Sequence, residues 1–525
     1  MRSLAVDLAH LSSVTTPGGP FVNRTDEIFR LARDPRTYKV SVASALSLGD
    51  YRRITRPRHW ALLQALALPL RDRTVVFINP TMEGGGVAML RPPLMHLLRL
   101  LGVDAHWYVT GGRKNPEDPN PYLFTKLLHN ILQRRTAPDV RITEEGKSTH
   151  RAWNSENFEV LARQETVCTA NLFVIDDPQP APLIPLLKEC NPGAKIVWRN
   201  HIDNSGELMR DPTTAQGEVW TYLRDECGVG MADAFIFHPV EVFVPPDIRE
   251  RTFFAPATVE PYDDLNRPLS DAEIREGISF INAEVERKNR ELAGVDAMSL
   301  LRLKRPRIAL IARFDESKGM DIAMELGVAA REEALKSGID SEVLIIGNGS
   351  VDDPSGTRMY EKVLARRQMY AEETRKNIIV MCLKHNYVAM NAVMHSSRVA
   401  LQTSLAEGFE TRISDWVRHG VPVVVANRGG MPLQVAEGVS GIILDYDKPN
   451  YDLKRGAAFV SGLLTNPEKH AAMRRGALSQ AEAVIDREFT TPANAARLLR
   501  LFACVLVGES RGDTLWRMDD LVARS

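Results

Sequence analysis

Two series of short apolar runs, separated by helical segments, constrain the fold of this chain more than any other feature. The runs are four to six residues long and rich in β-branched side chains, as expected of strands buried on both faces. The first series comprises residues 74–79, 106–109, 172–175, 195–198 and 234–237, and the second comprises 307–312, 342–346, 378–381, 399–402 and 422–425. Strands that alternate with helices form parallel sheets covered by helices. The chain is therefore predicted to be an α/β protein with two doubly wound, Rossmann-like domains.

The length of the chain also predicts more than one hydrophobic core. At 525 residues, two domains of about 200 residues plus extensions are expected. We interpret 1–70 as an irregular N-terminal extension, 71–300 as the N-terminal domain and 301–485 as the C-terminal domain. The helical tail, 486–525, is predicted to pack back on the N-terminal domain. Two such domains leave a cleft at the carboxyl ends of their strands, where ligands bind.

The densest set of chemical groups lies between residues 401 and 430. A buried-strand pattern is followed by a loop and then by a helical run containing Asp415; the loop consists of Glu407, Gly408, Phe409 and Glu410. Backbone N–H groups at the start of a helix attract an anion, and carboxylates bind sugar hydroxyls. With seven residues between them, Glu407 and Asp415 suit two parts of an extended ligand better than the two sides of one bond. A helix with an N-terminal Glu and an exposed Asp is the alternative without function.

Three consecutive glycines, Gly84, Gly85 and Gly86, follow the first predicted strand and open a helix. Glycine lets the backbone approach a phosphate or a sugar closely. The spacing is not GxGxxG, and no acidic residue ends a second strand at the dinucleotide spacing, which weighs against an NAD site. On the glycines alone, a tight strand-to-helix turn is an equal alternative.

Polar side chains also follow other predicted strands. Arg313 and Lys318 come after the first strand of the second series, where two cations can neutralise a diphosphate leaving group. His201 and Asp177 come after strands of the first series, and a histidine there can bind a sugar hydroxyl. The alternatives are solvated cations, a satisfied core histidine and a helix cap. Their shared position at strand ends favours function.

Composition excludes several classes of partner. Lys plus Arg is 66 and Asp plus Glu is 67, so no bulk charge indicates nucleic acid or an anionic membrane. No apolar run reaches the roughly 18 residues of a membrane span, and no signal-peptide pattern is present, so a cytoplasmic location is expected. The five cysteines are scattered without a CxxC pair. Reduced, mostly buried thiols are expected rather than disulfides or a metal site.

Together these segments resemble the retaining glycosyltransferases of family four, which have the two-domain GT-B fold. The resemblance is closest to the branch of trehalose synthases and fungal retaining trehalose phosphorylases. It covers roughly residues 48–490, and the matching segments are 84–88 (GGGVA), 177–181 (DPQPA), 198–203 (WRNHID), 313–319 (RFDESKG), 407–409 (EGF) and 429–430 (GG). Segments in a consistent order are more specific than any single motif.

The resemblance implies a role for each matching residue. The glycines at 84–86 would lie beside the donor phosphates, and Arg313 and Lys318 would bind them. Glu407 would hold a donor-sugar hydroxyl with help from Gly408, Phe409 and Glu410, and Asp415 would hold the nucleotide ribose. His201 would contact the transferred glucose, and Asp177 and Asp203 would line the acceptor side.

Two residues depart from the family pattern. Glu410 replaces a small residue, as in the phosphorylase-like branch, and Asp415 replaces a glutamate and shortens its reach by one methylene. The resemblance implies retaining transfer of glucose from UDP- or ADP-glucose to glucose or a related sugar. The alternatives are phosphorolysis of trehalose by phosphate, and a catalytically silent protein that binds nucleotide-sugars. No cofactor is expected to be required, Mg²⁺ is compatible but not essential, and a homodimer is expected by analogy only.

Overall fold

The computed structural model describes residues 21–24, 28–82, 86–112, 119–292, 296–348, 356–383, 386–446, 449–509 and 511–524. Gly84 and Gly85 lie outside the described residues, and Gly86 is the first residue of a helix. No described helix is long and apolar enough to cross a membrane.

The first half of the chain builds one sheet and its covering helices. Its strands are β1 (Phe21–Arg24), β2 (Arg30–Arg33), β3 (Lys39–Ala43), β4 (Thr74–Asn79), β5 (Asp104–Val109), β6 (Leu172–Asp176), β7 (Lys195–Arg199), β8 (Ala234–Phe237) and β9 (Thr252–Phe254). Its helices are α1 (Leu48–Ile54), α2 (Pro57–Ala67), α3 (Gly86–Leu100), α4 (Pro121–Leu132), α5 (Glu144–Leu161), α6 (Glu165–Cys168), α7 (Leu183–Cys190), α8 (Gly206–Arg210) and α9 (Ala215–Thr221).

The second half builds a second sheet. Its strands are β10 (Arg307–Ile311), β11 (Glu342–Gly347), β12 (Ile378–Cys382), β13 (Val399–Gln402), β14 (Val423–Ala426) and β15 (Gly441–Leu444). The helices that precede, cover and follow it are α10 (Asp271–Glu291), α11 (Met320–Lys336), α12 (Gly356–Gln368), α13 (Glu372–Arg375), α14 (Tyr387–Ser396), α15 (Thr411–Arg418), α16 (Pro449–Thr465), α17 (Pro467–Gln480), α18 (Asp486–Glu488), α19 (Thr491–Leu506) and α20 (Met518–Arg524).

Each sheet reverses its strand order at one point. In the second sheet the order is β12-β11-β10-β13-β14-β15, and every pairing is parallel. In the first sheet the parallel strands run β5-β4-β6-β7-β8-β9. The reversal points lie between β10 and β13 and between β4 and β6, and loops at such points diverge to leave a ligand crevice. Most of the predicted site residues follow these four strands, and His201 and Asp203 follow the neighbouring β7.

All ten strands predicted from the apolar runs are present, and their side chains are almost entirely buried. The expectation of an irregular segment before residue 70 is wrong for the described part, because β3 pairs antiparallel with β5 and extends the sheet through β2 and β1. These polar strands depend on that pairing, which a local pattern does not reveal. At the other end of the chain, α19 packs against α2 and α3.

The cysteines differ in part from expectation. All five are free thiols, but only Cys227 is buried; Cys168 and Cys190 are exposed and the other two are half-buried. The expectation of mostly buried thiols is therefore wrong. The exposed pair lies at helix ends on the edge of the first sheet remote from the cleft, with the two sulfurs 3.9 Å apart.

Candidate active site

Two loops of the second sheet interlock at its reversal point. One follows β10 and ends in a short 3₁₀ turn at Glu316–Lys318, and the other follows β13. Leu405 N donates to Ser317 O (2.6 Å), and Thr403 Oγ1 donates to Gly319 O (2.9 Å). Gly319 has φ +60°, and a Cβ there would lie 2.1 Å from Thr403 O, so glycine is required for this contact. The interlock fixes Lys318 beside the second loop.

Lys318 is the centre of a buried charge cluster. Its Nζ donates to Glu407 Oε2 and to Glu410 Oε2. Burial opposes the charge of Lys318, but the two carboxylates outweigh it and raise the pKa of the lysine above its ordinary value. Lys318 is therefore a permanent cation at the floor of the cleft.

The two carboxylates differ in their protonation. Burial raises the pKa of Glu407 to about 7, and the neighbouring Glu410 adds to the rise while Lys318 opposes it. Burial also acts to raise the pKa of Glu410, but Lys318 and Arg412 outweigh it and hold that pKa below its ordinary value. Near neutral pH, Glu407 is thus the member of the cluster that can gain or lose a proton.

Glu410 also caps helix α15, where its side chain accepts from Arg412 N (3.3 Å). One turn further on, Asp415 is only 1% exposed. Its two oxygens accept from Arg412 Nη1 (2.5 Å) and from Asn266 Nδ2 (2.9 Å) in the segment between the sheets. The carboxylate predicted to hold a ribose is thus engaged by protein donors in this structure, and its predicted role remains a prediction.

The opposite wall is built on a buried ion pair. Arg91 of α3 lies over the Phe77 ring (4.3 Å) and pairs with Asp176 at the end of β6. Asp176 Oδ1 in turn accepts from His201 Nε2 (3.1 Å). Burial lowers the pKa of His201 to about 4, helped by the charge of Arg199. His201 is therefore neutral near pH 7, and with its proton on Nε2 its Nδ1 is an acceptor.

Asp177 and Asp203 both orient loops of this wall. Asp177 has φ +67°, which is uncommon outside glycine, and its Oδ1 accepts from His201 N (3.0 Å). Asp203 Oδ2 accepts from Glu407 N (3.0 Å), and Oδ1 accepts from Arg134 Nη2 (3.3 Å). Asp203 therefore joins the two walls through the Glu407 backbone. The predicted acceptor-side roles of both aspartates remain predictions.

The two walls also approach each other closely at Gly408. A Cβ there would lie 2.1 Å from His201 O and 3.0 Å from His238 Cδ2. The adjacent Phe409 ring stacks on His238, with centroids 5.5 Å apart and planes at 26°. Only glycine allows this approach.

A cavity between the walls brings most of the predicted residues together. Among the described residues it is bordered by Gly86, Asp177, His201, Arg313, Lys318, Glu407, Gly408, Phe409 and Glu410, whereas Asp203 and Asp415 are not on its border. The bordering residues to which sequence reasoning gave no role include Lys126, Gln179 and His238. Gln179 lies in the DPQPA segment and His238 directly follows a predicted strand, so their position after a strand could have predicted both as site residues. Lys126 lies inside α4, where no sequence pattern marks it, and it pairs with Asp315 across the cleft (2.7 Å). In the described parts of the chain, no group of three or more His, Cys, Asp or Glu residues is placed to hold a metal ion.

Family models match both halves of the chain. Residues 77–245 match the model described as trehalose synthase, N-terminal domain, and residues 305–458 match the model described as glycosyl transferases group 1. Between them they cover both reversal points and every predicted site residue. The first match contains the predicted site residues from Gly84 to Asp203, and the second contains those from Arg313 to Asp415.

Individual relatives agree with these models. The chain is 35% identical over 420 residues to a trehalose phosphorylase from Pleurotus sajor-caju; the match covers 75% of this chain but only 54% of the relative's length. It is 30% identical over 398 residues to a trehalose synthase from Thermococcus litoralis, with 76% of this chain and 84% of the relative covered. A solved alpha,alpha-trehalose 6-phosphate synthase from Burkholderia multivorans shares the fold, with a TM-score of 0.57 at 15% identity over 83% of this chain and 98% of that chain. The chain therefore belongs to the trehalose synthase family of glycosyltransferases, and its two facing doubly wound domains are a GT-B fold.

Proposed function

We propose that this chain transfers glucose with retention of anomeric configuration between a phosphate-bearing donor and a sugar acceptor, and that trehalose is the disaccharide formed or cleaved. The observation that carries the proposal is the buried Lys318, held by two carboxylates at one wall of a cleft whose other wall presents neutral imidazoles. Trehalose enters from the names of the similar proteins.

The second-sheet wall suits the phosphate end of the donor. Lys318 and Arg313 both border the cavity, and cations fixed where a phosphate departs stabilise the charge that develops on it. With Glu407 and Glu410 ionised, the four side chains sum to zero. An incoming phosphate anion therefore favours protonation of Glu407, whose pKa of about 7 makes that step accessible.

The first-sheet wall suits the neutral sugars. His201 is uncharged and held in one orientation by Asp176. Among the described residues that border the cavity, each carboxylate has a partner: Glu407 and Glu410 pair with Lys318, Asp315 pairs with Lys126, and Asp177 accepts from His201 N. We therefore propose front-face substitution, in which the departing phosphate oxygen accepts the proton of the incoming hydroxyl, and catalysis rests on positioning and charge stabilisation.

Two reactions fit this scheme. The first is transfer from UDP- or ADP-glucose, as the resemblance implies, with glucose or a related sugar as acceptor. The second is phosphorolysis, in which inorganic phosphate takes glucose from trehalose. The position of Asp415 favours the second, because it is buried, paired with Arg412 and Asn266, and off the border of the cavity where a ribose would bind. Glu410 beside Lys318 favours it too, because it adds negative charge where a diphosphate would bind.

The same proposal includes small-molecule sugars and nucleotide-sugar as partners, without nucleic acid or membrane. It requires no cofactor, because Lys318 and Arg313 supply the positive charge that a metal supplies elsewhere. The rate is then unchanged by EDTA, and added Mg²⁺ has little effect. A homodimer stays an expectation, measurable by light scattering.

One set of three reactions, followed by NMR, tests the proposal and separates the donors. Trehalose with phosphate yields α-glucose 1-phosphate if the chain is a phosphorylase. Trehalose with UDP or ADP yields nucleotide-glucose if it is a synthase, and glucose with UDP- or ADP-glucose yields trehalose. No new sugar in any mixture, with nucleotide binding intact, contradicts the proposal and supports the catalytically silent alternative. A β-anomeric product contradicts retention.

A further inference from the structure

We infer that Gln179 and His238 form a subsite that binds hydroxyl groups of a neutral sugar on the first-sheet wall of the cleft. This subsite rests on the proposed function and adds to it two residues to which the sequence gave no role. Both side chains border the cavity that also holds Lys318 and Glu407.

Gln179 is buried, at 4% exposure, and its Oε1 has no hydrogen-bond partner among the described residues. Its backbone is fixed nonetheless. The carbonyl of Gln179 accepts from His150 Nε2 (2.7 Å) and from Asn154 Nδ2 (3.0 Å), both on α5. The loop is therefore held rigidly while the amide oxygen at its tip is unsatisfied.

His238 repeats this arrangement at the end of β8. It is 3% exposed, and its Nδ1 has no partner within the described part of the chain. The ring is held between His201, with centroids 5.6 Å apart, and Phe409. Burial, reinforced by the nearby His201 and Arg199, keeps the pKa of His238 well below its ordinary value, so the imidazole is neutral.

An unsatisfied polar atom in a buried position is unfavourable, and native structures rarely keep one without a ligand or water. The two residues that carry these atoms, Gln179 and His238, border one cavity, and both side chains are neutral. A hydroxyl group both donates and accepts, so it can satisfy the Gln179 oxygen as a donor and the His238 nitrogen in either tautomer. A polyhydroxylated neutral sugar is the ligand class that supplies several hydroxyls at once.

The test uses the wild-type protein with glucose and a series of monodeoxyglucoses as acceptors, or the matching deoxytrehaloses for phosphorolysis. Loss of a hydroxyl that pairs with Gln179 or His238 should lower kcat/KM by about 10- to 100-fold, because the protein group is then left unpaired. Deoxygenation elsewhere should matter less. Equal rates for every deoxy sugar would overturn the subsite.

Variants assign each hydroxyl to its residue. Gln179→Met should lower kcat/KM for glucose by a similar factor and abolish the discrimination against one deoxy sugar. His238→Phe should also lower kcat/KM and abolish the discrimination against a deoxy sugar that lacks a different hydroxyl. His238→Gln, which retains a donor and an acceptor, should restore part of that discrimination. Asn494→Leu is the matched control, because Asn494 is a buried amide with no side-chain partner among the described residues and lies in α19 away from the cavity. It should leave the discrimination unchanged.

Discrimination that persists in both variants would overturn the inference and assign the two atoms to bound water only. Calorimetric titration with glucose and with trehalose separates this failure from that of the proposed function. Sugar binding that Gln179→Met weakens, in a protein inactive in all three reactions, keeps the subsite and rejects the activity. Absence of sugar binding to the wild type overturns the subsite.

Discussion

The two walls of the cleft use buried charge in opposite ways. On the first-sheet wall, Arg91 and Asp176 form an ion pair behind His201, and the groups that border the cavity include neutral imidazoles. On the second-sheet wall, Lys318 and its two carboxylates border the cavity themselves. On the first wall this ion pair lies behind a neutral imidazole that borders the cavity, whereas on the second wall the paired charges themselves border it.

This difference follows from the chemistry that each wall can offer. An ion pair behind a histidine orients the ring through its carboxylate, whereas a cation shared between two carboxylates can exchange one of them for an incoming phosphate. The comparison predicts that charge removal on the first wall damages mainly stability, and that on the second wall it damages mainly turnover.

The largest expected effect is the loss of stability in Asp176→Asn. The substitution leaves Arg91 buried without its counter-charge, which should lower the free energy of unfolding by about 3–5 kcal/mol. Chemical denaturation measures it. Glu226→Gln is the control, because Glu226 pairs with Lys147 and Arg151 at the exposed surface and should cost less than about 1 kcal/mol. Equal effects of the two substitutions would remove the distinction between the walls.

Lys318→Ala should affect turnover instead. Loss of a fixed cation at the leaving phosphate should lower kcat by about 10²- to 10³-fold, with little change in KM for the sugar acceptor. Initial rates measure both constants. Lys336→Ala, which removes an exposed lysine paired with Glu333, should leave them unaltered. Normal turnover in Lys318→Ala would mean that the phosphate site lies elsewhere.

Gly408→Ala tests the contact between the walls. The added Cβ would lie 2.1 Å from His201 O, so the walls must separate, at a cost of about 1–3 kcal/mol. We expect a lower melting temperature together with a lower kcat/KM. Gly112→Ala is the control, because a Cβ there meets nothing within 4 Å. If both variants behave like the wild type, the walls do not need to meet for turnover.

The smallest expected effect is a pH dependence confined to the second wall. The pKa of Glu407, raised to about 7, means that it is neutral below that pH, and the four side chains of Lys318, Arg313, Glu407 and Glu410 then carry one net positive charge. Sulfate, whose charge is constant near neutral pH, should therefore bind more tightly as pH falls from about 8 to about 6, by at most about tenfold per pH unit. Calorimetry measures this affinity, and Glu407→Gln should flatten its pH dependence.

The first wall should show no such dependence in the same range, because the pKa of His201 lies at about 4 and that of His238 is also depressed. The KM for the sugar acceptor is the measured quantity. An acceptor KM that changes with the titration of a histidine near neutral pH would contradict the assignment of neutral imidazoles.

Local sequence patterns were sufficient to predict many of the strands and most of the residues that border the cavity among those proposed for the site. The ten apolar runs became strands, and glycines or charged residues directly after them, such as Arg313 and Lys318, came to border the cavity. This works because strands of a parallel sheet end at the same edge, so position in the chain predicts position in space. Prediction from local patterns failed for β1–β3, because they join the sheet through the pairing of β3 with β5, which is distant in the chain.

The sequence by itself determined the two sheets, the cleft and the family, because periodicity, strand ends and ordered motifs are local properties of the chain. Only the tertiary structure decided which partners the site residues have. Asp415 accepts a hydrogen bond from Asn266, Asp203 accepts one from the backbone of Glu407, and Gln179 and His238, each with an unsatisfied side-chain atom, border one cavity. Each of these depends on the approach of segments far apart in the chain, and burial then sets which groups are charged.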